Sequence, residues 1–566
     1  MENKKLSEVE NIKESSRYLR GSIEASLENE LTGAFFPDDT QLIKFHGFYQ
    51  QTDRELDSER KQQKLEPLYS FMIRIRVPGG RMSPAQYLRL NELTTLYGSQ
   101  TLKITTRQAI QIHGIYKKNL KAVIRGFNEV KMDSIAGCGD VNRNVMAPIN
   151  PYLSPAHKEV VEDALLISAH FTPRTTAYYE IWINGEEQKS AKPDEEPIYG
   201  KTYLPRKFKI ALAIPPHNDT DIYANDIGIV AIVEDGQLLG YNILAGGGLG
   251  MTFGMPETYP RLADMLGYIS RADLILVCEA ILTTQRDWGN REDRKFSRLK
   301  YTIDRVGLAL FKLEVESRAG IRFLPEREFI FSRNGDHYGW SENVDGTSNY
   351  LLFVEGGRIA DDVGKYRLQI KTALCEIARI QKGDFRLTGN QNILIASISP
   401  HNKEAIARIL LGYGLTEENH LTALRKNSLA CVALNTCPLA FAEAERYLPQ
   451  LLDRIELLLY EWGLSQEEIT IRMTGCPNGC ARPYLAEIGL VGRSLGKYNL
   501  YLGAAFNGER LNKRYREMLG EDDIINELRP LLADYALNRY EGERLGDFVI
   551  RKEYIKPTIK GLDFHL

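Results

Sequence analysis

The chain has 566 residues, of which 43% are hydrophobic and 26% charged, a composition typical of a folded globular protein with several domains. Its net charge of −3 argues against attraction of the whole surface to nucleic acid or anionic lipid, so any anion must be bound in a local cleft. No uninterrupted apolar run of about 18 residues is present, and the charged N-terminus lacks an apolar signal segment. We therefore expect a cytoplasmic protein without a membrane partner. The odd count of seven cysteines favours metal-bound or free thiols over disulfides.

The first 66 residues are rich in charge and contain few long apolar runs. The stretch DRELDSERKQQKLEP predicts a solvated arm or linker, although KFHGFYQQ could pack onto other parts of the chain. We interpret residues 1–66 as an N-terminal arm and as a candidate segment for docking a partner. The alternative is a disordered leader.

A strand–helix–strand pattern begins near Phe71 and returns later in the chain. In the first copy FMIRIRVPGG predicts a strand and a Gly-Gly turn, SPAQYLRLNELTTLYG a helix, and LKITTRQAIQIHGI a second strand. In the second copy the same order is predicted by YLLFVEGGRI, GKYRLQIKTALCEIARI and DFRLTGNQNILIASI. The chain therefore contains an internal duplication, with copies at residues 67–147 and 350–421.

The last strand of each copy is predicted to carry one polar face. LKITTRQAI aligns with FRLTGNQNI, so that Thr105 corresponds to Thr388 and Arg107 to Asn390. Because side chains alternate along a strand, one face of each strand carries polar residues. These are Lys103, Thr105, Arg107, Gln111 and His113 in the first copy, and Arg386, Thr388, Asn390 and Asn392 in the second. We expect the two faces to line one shared cleft; the alternative is two polar strands that face solvent.

Two further α/β domains are predicted, at residues 148–349 and 422–566. The first contains NILAGGGLGMTFG, in which Met251 replaces the third glycine of a dinucleotide-binding motif. The preceding VAIVEDGQLLGYNIL predicts a hairpin rather than a strand followed by a helix. We therefore expect no NADPH site in this chain.

Two cysteine pairs in the last domain are candidate metal ligands. Cys431 and Cys437 have five residues between them, Cys476 and Cys480 have three, and 38 residues separate the pairs. Structural zinc sites prefer two similar short spacings, whereas iron–sulfur ligands tolerate unequal ones and often have proline beside a cysteine. The unequal spacing and the neighbouring prolines favour an iron–sulfur cluster over a zinc site. They also favour it over the alternative that the four cysteines are free and structural. Glycines beside the second pair provide the tight turns and backbone amides that cluster sulfurs need.

The other three cysteines have different surroundings. Cys278 and Cys375 lie among apolar residues of predicted helices and are expected to be core residues. Cys138 lies in the polar loop AGCGDVNRN and is left without a role.

These motifs resemble the family of sulfite and nitrite reductases that hold a sirohaem coupled to a 4Fe–4S cluster. The resemblance covers nearly the whole chain and includes KFHGFYQQ, IRIRVPGG, TTRQAIQIHG, DVNRNV, YLPRKFKIALAIPP, ANDIGIVAI, TTQRDWGNREDRK, TCPLAFAEAER and TGCPNGC. It implies a trilobed α+β protein in which two pseudo-symmetric ferredoxin-like repeats form a central domain. The 148–349 domain would hold sirohaem and substrate, and the 422–566 domain would hold the cluster and sirohaem.

The resemblance also implies which residues form the site. The cluster would be bound by Cys431, Cys437, Cys476 and Cys480, and Cys480 would also be the axial ligand of the sirohaem iron. The residues that bind sulfite and deliver protons would be Arg74, Arg143, Lys207 and Lys209. The sirohaem carboxylates would be contacted by Thr105, Arg107, Gln111 and Asn142.

The residue pattern is compatible with such a cationic pocket. Arg74 and Arg76 share a strand face, and Lys207 and Lys209 share a face opposite Phe208. Arginine would hold an anion, and lysine would donate protons because its pKa falls readily among other cations. The alternative for each of these arginines and lysines, considered singly, is that it is an ordinary surface cation.

The sequence departs from the family pattern at two places. Lys103 stands where family members often carry Arg, and Gly503-Ala504-Ala505 replaces a more usual Gly-Gly. These departures concern local cofactor contacts rather than the reaction.

The resemblance implies the six-electron reduction of sulfite to hydrogen sulfide for cysteine biosynthesis. Electrons would come from a flavoprotein NADPH reductase subunit that carries FAD and FMN. A ferredoxin-dependent nitrite or sulfite reductase with the same cofactors is one alternative, and a zinc-stabilised binding protein is another.

Overall fold

The computed structural model describes residues 5–175, 195–363, 367–416 and 421–565, and the backbone of the short strands Trp182–Ile183 and Glu186–Glu187. Its larger sheets are two central sheets and two outer sheets, each covered by helices. No helix of the described residues is long and apolar enough to cross a membrane.

The two repeats form two antiparallel central sheets. In the first sheet the strand order is Phe48–Thr52, Tyr69–Ile75, Ile110–Ile115, Leu102–Ile104 and Arg358–Ile359. In the second it is Gly339–Glu342, Ser348–Leu352, Ile393–Ile398, Asp384–Leu387 and Arg81–Met82. Each sheet thus ends in a short strand from the other repeat, and the apolar faces of both belong to one hydrophobic core.

Helices cover both central sheets. They are Pro84–Tyr97 and Leu120–Glu129 in the first repeat, and Ile370–Ile380 and Pro400–Gly412 in the second. The predicted helix of the first repeat begins where Ser83 and Gln86 form a capping box, followed by a proline at the first helical position. The second repeat also has the strand pair Asp361–Val363 and Leu368–Gln369.

The exchange of edge strands depends on the two Gly-Gly turns. Gly80 has a φ of +71°, and a Cβ there would lie 2.4 Å from the carbonyl oxygen of Leu387 in the other repeat. Gly357 has a φ of +73°, and its Cβ would lie 2.6 Å from the carbonyl oxygen of Ile104. Because only glycine accepts both the backbone angle and the close approach, the two turns hold the repeats together at equivalent positions.

The prediction of one long final strand in each repeat is wrong. LKITTRQAIQIHGI forms the hairpin Leu102–Ile104 and Ile110–Ile115, and DFRLTGNQNILIASI forms Asp384–Leu387 and Ile393–Ile398. The turns place Gln108 and Gln391 at positive φ, which reverses the chain. The alternating polar face is therefore interrupted in both copies.

The N-terminal segment is more ordered than a solvated arm. It contains the helices Glu8–Ser15, Ile23–Glu28, Asp39–Leu42 and Asp57–Gln62, and the strand Phe48–Thr52 that extends the first central sheet. Leu19, Leu42 and Phe45 are buried in the core of one outer domain. The expectation of a solvated arm agrees with the structure in the stretch DRELDSERKQQKLEP, residues 53–67, which has no buried residue.

The first outer sheet, which we call the cation sheet, contains the strands Ile210–Ala213, Ile227–Glu234, Gln237–Ala245 and Asp264–Ser270. The first two strands are parallel and the others antiparallel. The predicted hairpin in VAIVEDGQLLGYNIL is confirmed. The helices of this domain are Pro155–His170, Leu274–Trp288, Leu299–Val306 and Leu308–Ala319.

The second outer sheet, which we call the cysteine sheet, contains Ser428–Ala430, Ile471–Thr474, Ile488–Ser494, Lys497–Leu502 and Lys513–Leu519. Its helices are Ala423–Lys426, Leu448–Glu461, Glu521–Asn538 and Leu545–Arg551. The parallel pair Ile471–Thr474 and Ile488–Ser494, followed by two antiparallel strands, repeats the arrangement of the cation sheet.

The two outer sheets correspond residue by residue around one turn. In the cation sheet a strand ends at Ala213, and eight residues later Asp221 precedes the short 3-10 helix Ile222–Ala224. In the cysteine sheet a strand ends at Thr474, and eight residues later Arg482 precedes the 3-10 helix Pro483–Leu485. Asp221 and Arg482 both have left-handed backbone angles. The duplication therefore extends beyond the central repeats.

Candidate functional site

Two cysteines follow neighbouring parallel strands of the cysteine sheet. Ser428–Ala430 and Ile471–Thr474 are parallel, so their carboxyl ends lie at the same sheet edge. Cys431 follows the first strand directly, and Cys476 lies two residues beyond the second. The backbone N–H of Gly475 donates to Cys431 Sγ at 3.3 Å. This strand pairing brings the two distant cysteine motifs together.

The loops that carry these cysteines have further fixed contacts. Asn478 Nδ2 donates to Cys476 Sγ at 3.5 Å. The Arg54 guanidinium donates to the carbonyl oxygens of Cys437 at 3.3 Å and Ala440 at 2.7 Å. The N-terminal segment therefore supports the loop that contains Cys437.

The electrostatics of the four thiols show that they lie close together. Burial, and then the neighbouring Cys480, raise the pKa of Cys431 and of Cys437. The same causes raise the pKa of Cys476 to about 12. Such thiols lose their protons when a bound metal centre compensates their charge.

The chemistry of this donor set fits an iron–sulfur cluster. Four thiols interact electrostatically, the Gly475 amide donates to one of them, and at Gly475 a Cβ would lie only 2.5 Å from the Ala442 carbonyl oxygen. No group of three or more His, Cys, Asp or Glu side chains within the described residues is arranged to hold a single metal ion.

Arg74 lies in the strand Tyr69–Ile75, directly opposite Gln111 on the neighbouring strand. Its guanidinium donates to Cys138 Sγ at 3.0 Å and to the Gly137 carbonyl at 3.3 Å. When the Gln111 amide is turned so that its oxygen faces Arg74, that oxygen accepts two hydrogen bonds, at 2.5 and 3.1 Å. Gln111 and Cys138 therefore hold Arg74 from two sides.

Arg143 and Asn142 lie in a loop beside the cation sheet. Bridges from Asn142 to Phe208 and from Met146 to Ala211 hold this loop parallel to the segment that leads into the sheet. Arg143 donates to the Gly137 carbonyl at 3.2 Å, an acceptor that it shares with Arg74. The Oδ1 atom of Asn142 is buried and has no hydrogen-bond partner among the described residues.

Lys207 and Lys209 precede the first strand of the cation sheet, and the buried Phe208 and Ile210 lie on the opposite side, as predicted. Neither amine has a hydrogen-bond or ion-pair partner within the described part of the chain. Burial and the nearby Arg206 lower the pKa of Lys207 to about 7, and burial and Lys207 lower the pKa of Lys209. Two adjacent lysines are thus available to an anion and ready to lose a proton.

Arg107 lies in the turn of the first hairpin and reaches the same region. It donates to Asn225 Oδ1 at 2.8 Å and to the carbonyl oxygens of Asn144 and Ile210 at 2.6 and 3.0 Å. Its Nε atom is buried without a partner, and burial lowers its pKa to about 9. Thr105 is engaged within the turn, where its hydroxyl accepts from the backbone N–H of Arg107.

Cys480 connects the cysteine loops to the cations. Burial alone would lower the pKa of Arg74. The interactions with Cys138, Tyr49 and Cys480 outweigh this effect, so the pKa of Arg74 is raised. Cys480 also raises the pKa of Lys207, in opposition to burial, which lowers it. The thiol therefore lies near a cationic region with excess positive charge and unpartnered polar atoms, which fits a group that carries many carboxylates, such as sirohaem.

Comparison with known proteins agrees with this site. The family model described as "nitrite and sulphite reductase 4Fe-4S domain" matches residues 162–323. The model described as "nitrite/sulfite reductase ferredoxin-like half domain" matches residues 63–130 and 343–413. The sulfite reductase (NADPH) hemoprotein beta-component of Staphylococcus haemolyticus is 53% identical over 99% of this chain and 98% of its own length. The protein of the same name from Geobacillus kaustophilus is 54% identical with the same coverage.

The chain belongs to the nitrite and sulfite reductase family. The structure of the NirA protein of Mycobacterium tuberculosis has a TM-score of 0.75 to this chain at 23% identity, covers 97% of both chains, and supports the fold. The predicted family, fold, enzyme class and both cofactors are confirmed. The 4Fe-4S description matches the cation-sheet domain, whereas the four cysteines lie in the second, corresponding domain.

The remaining polar residues of the two hairpins do not line the pocket as one cleft. Lys103 donates to Glu445 at 2.8 Å, so this departure from the family pattern lies in a contact between domains. In the second copy, the side chains that bond to Asp336 are Thr388, Asn390 and Asn392. The predicted single cleft is wrong for these positions because each hairpin turns back after four residues or fewer.

Several pocket residues of this nitrite and sulfite reductase family member were missed by the sequence analysis. Arg206 is adjacent to Lys207, and Arg298 forms a buried ion pair with Asp226 at 2.9 Å. Arg206 could have been found from the run RKFK, which concentrates three cations before a buried strand. Arg298 has no such signal, because its role depends on the packing of a distant helix.

The two buried core cysteines are as predicted. Cys278 is fully buried in the helix Leu274–Trp288, and Cys375 is buried in the helix Ile370–Ile380. Cys138, which had no predicted role, contacts the candidate catalytic residue Arg74.

Proposed function

We propose that Arg74, Arg143, Lys207 and Lys209 bind sulfite and supply protons during its reduction. The observation that carries this proposal is the pair Lys207 and Lys209, which are half-buried among other cations, lack partners among the described residues, and have lowered pKa values. A lysine with a pKa of about 7 can donate and regain a proton near neutral pH.

The reaction is the six-electron reduction of sulfite to hydrogen sulfide, and the predicted function is confirmed by the family and by near-full-length relatives. The three sulfite oxygens leave as water, so that protons must reach the substrate repeatedly. Arg74 and Arg143 keep their charge and would hold the anion, while the lysines donate and are reprotonated.

We assign the cluster ligands to Cys431, Cys437, Cys476 and Cys480. Cys480 would also bind the sirohaem iron, because it is the cysteine that interacts electrostatically with both Arg74 and Lys207. Arg107 and Asn142, each with a buried polar atom that lacks a partner, would contact sirohaem carboxylates. Gln111 would position Arg74, and Thr105 would hold the turn that carries Arg107. When bound, the two cofactors deliver single electrons to sulfite.

The names of the relatives specify NADPH and a beta-component. We infer that the electrons come from an alpha component, and that it is a flavoprotein with FAD and FMN. The charged helix Asp57–Gln62 is the part of the predicted N-terminal arm best suited to meet such a partner, because none of its residues is buried. A cytoplasmic location fits the cysteine usage.

The proposal is tested by steady-state rates of the purified holoenzyme with a reduced dye as electron donor. Lys207→Met should lower kcat for sulfite about 10²–10³-fold because a proton donor and a charge are lost. Lys201→Met is the matched control, since Lys201 is an exposed lysine that pairs with Glu14 on the surface. Unchanged sulfite turnover in Lys207→Met would contradict the assignment of Lys207 as a proton donor. Faster turnover of nitrite than of sulfite by the wild type would contradict the assignment of sulfite as the preferred substrate.

A further inference from the structure

The loop after Cys480 contains one arginine that contacts both central repeats. Arg482 is 8% exposed and has a left-handed backbone conformation. Its NH1 group donates to the Thr106 carbonyl at 2.8 Å, and its NH2 group donates to the Gly389 carbonyl at 2.7 Å. Since Thr105 corresponds to Thr388, these two carbonyls occupy equivalent positions in the two hairpin turns. A single guanidinium therefore joins both copies of the duplication.

The same turn contacts the backbone of Cys480 directly. The Thr106 hydroxyl donates to the Cys480 carbonyl oxygen at 2.8 Å. Cys480 is exposed, unlike Cys476, so few packing contacts restrict it. The Thr106 hydrogen bond and the Arg482 anchor two residues later are the fixed contacts on this side of the thiol.

Arg482 is itself held from the cation-sheet domain. Its Nε atom lies 2.5 Å from Asp221 Oδ2, and Asp221 also pairs with Arg472 at 2.6 Å. Asp221 is the residue that corresponds to Arg482 in the other outer sheet. An ion pair between equivalent residues thus connects the domain with the lysines to the domain with the cysteines.

We propose that Thr106 and Arg482 are positioning residues that set the orientation of Cys480 toward the cationic pocket and thereby its coupling to the sirohaem iron. The inference rests on the proposed role of Cys480 as the shared ligand. Arginine is required at position 482 because its planar fork can donate to two carbonyls while its charge pairs with the Asp221 carboxylate, whereas a lysine ammonium cannot match that geometry. The recorded hydrogen bonds of the Thr106 hydroxyl and of Arg482 NH1 go to backbone carbonyls, so we assign both residues an indirect role through the loop that carries Cys480.

The sharpest variant is Thr106→Val, which keeps the side-chain shape and removes only the hydroxyl. We expect full content of iron, acid-labile sulfide and sirohaem in this variant. We also expect the ratio of reduced to oxidised haem at a fixed potential to change about tenfold, equivalent to a midpoint shift of ~59 mV for a one-electron couple. The measurement is a redox titration followed by the haem absorption bands.

A matched pair of lysine variants separates positioning from folding. Arg482→Lys and Arg472→Lys both keep a cation beside Asp221, but only the first loses the bonds to the two hairpin carbonyls. Arg482→Lys should shift the haem potential in the same direction as Thr106→Val, and Arg472→Lys should leave it unchanged. Cofactor-loaded Thr106→Val and Arg482→Lys proteins with wild-type potentials would overturn the inference and leave the proposed function intact. A Cys480→Ser protein that retained coupled haem and cluster spectra would instead refute the shared ligand, and this inference with it.

Discussion

The cation sheet and the cysteine sheet have the same strand arrangement but carry different chemistry. In both, a strand leads into an eight-residue connection that ends at a left-handed residue, Asp221 or Arg482. In the cation sheet the connection is IPPHNDTD, and the proposed proton-donating lysines precede the strand. In the cysteine sheet it is GCPNGCAR, and the proposed cluster ligands follow the strands. Under the proposed roles, one fold unit used twice would provide proton donors on one side of the site and cluster ligands on the other.

The comparison also shows that the two units are interlocked rather than merely adjacent. Asp221 of the first unit pairs with Arg472 and Arg482 of the second. The two central repeats exchange edge strands in the same manner. A site between the units therefore has contributions from every domain.

The largest effect is expected from the cysteine unit. Cys431→Ser should lose most of the bound iron and acid-labile sulfide, and sulfite turnover should fall below detection, because a serine oxygen is a poor ligand for iron–sulfur iron. Iron and sulfide analysis of the purified protein checks this. Cys278→Ala is the control, since Cys278 is buried in a helix of the cation-sheet domain. Equal loss of iron in both variants would show that Cys431 is not a specific ligand.

The two units should respond oppositely to pH in the cofactor-free protein. The pKa of Lys207 is lowered to about 7 from its ordinary 10.5, so the unfolded chain binds more protons above pH 7 and stability rises with pH. The pKa of Cys476 is raised from 9.0 to about 12, so the folded chain retains more protons above pH 9 and stability falls.

The melting temperature should therefore rise from about pH 7 and turn over above about pH 9. Lys207→Met should flatten the rise, and Cys476→Ala should weaken the fall. Thermal unfolding at several pH values measures both. A melting temperature that falls steadily from pH 7 in the wild type would be inconsistent with half-buried lysines that lack partners among the described residues.

A smaller effect tests the correspondence of the two sheets. At Gly489 a Cβ would lie 2.4 Å from the Pro483 carbonyl oxygen, and at the corresponding Gly228 it would lie 2.9 Å from the Ile222 carbonyl oxygen. Alanine should destabilise the protein at both positions by about 1–3 kcal/mol, more at Gly489, because backbone atoms must move. Gly412→Ala, where no atom lies within 4 Å of the added Cβ, should cost nothing. Denaturant unfolding measures the loss of unfolding free energy in each variant. A larger loss for Gly412→Ala than for Gly489→Ala would contradict the predicted order.

Much of the site could be predicted from the sequence because its signals are local. The cysteine spacing, the alternation of Lys207 and Lys209 with buried residues, and the helix that begins after Ser83 all depend on a few neighbouring residues. The repeats were found for the same reason, since each copy keeps its own hydrophobic period.

The parts that were missed depend on contacts between distant segments. Gln108 and Gln391 adopt positive φ at the hairpin turns, and glutamine gives no sequence signal for that conformation. Thr106 and Arg482 are 376 positions apart, and their contact exists only after both central repeats and the cysteine sheet have assembled. The N-terminal segment looked solvated because its buried residues, such as Leu19 and Leu42, are scattered among charges.

The central claim is that Cys480 joins the cluster to the haem within the cationic pocket. Electron paramagnetic resonance of the reduced holoenzyme tests it most directly, with Cys480→Ser compared with Cys138→Ser. Cys138 is the control because its thiol also interacts with Arg74, from which it accepts a hydrogen bond. The account predicts that Cys480→Ser shows haem and cluster signals without mutual coupling, while Cys138→Ser retains the coupled spectrum. A coupled spectrum in Cys480→Ser would contradict it.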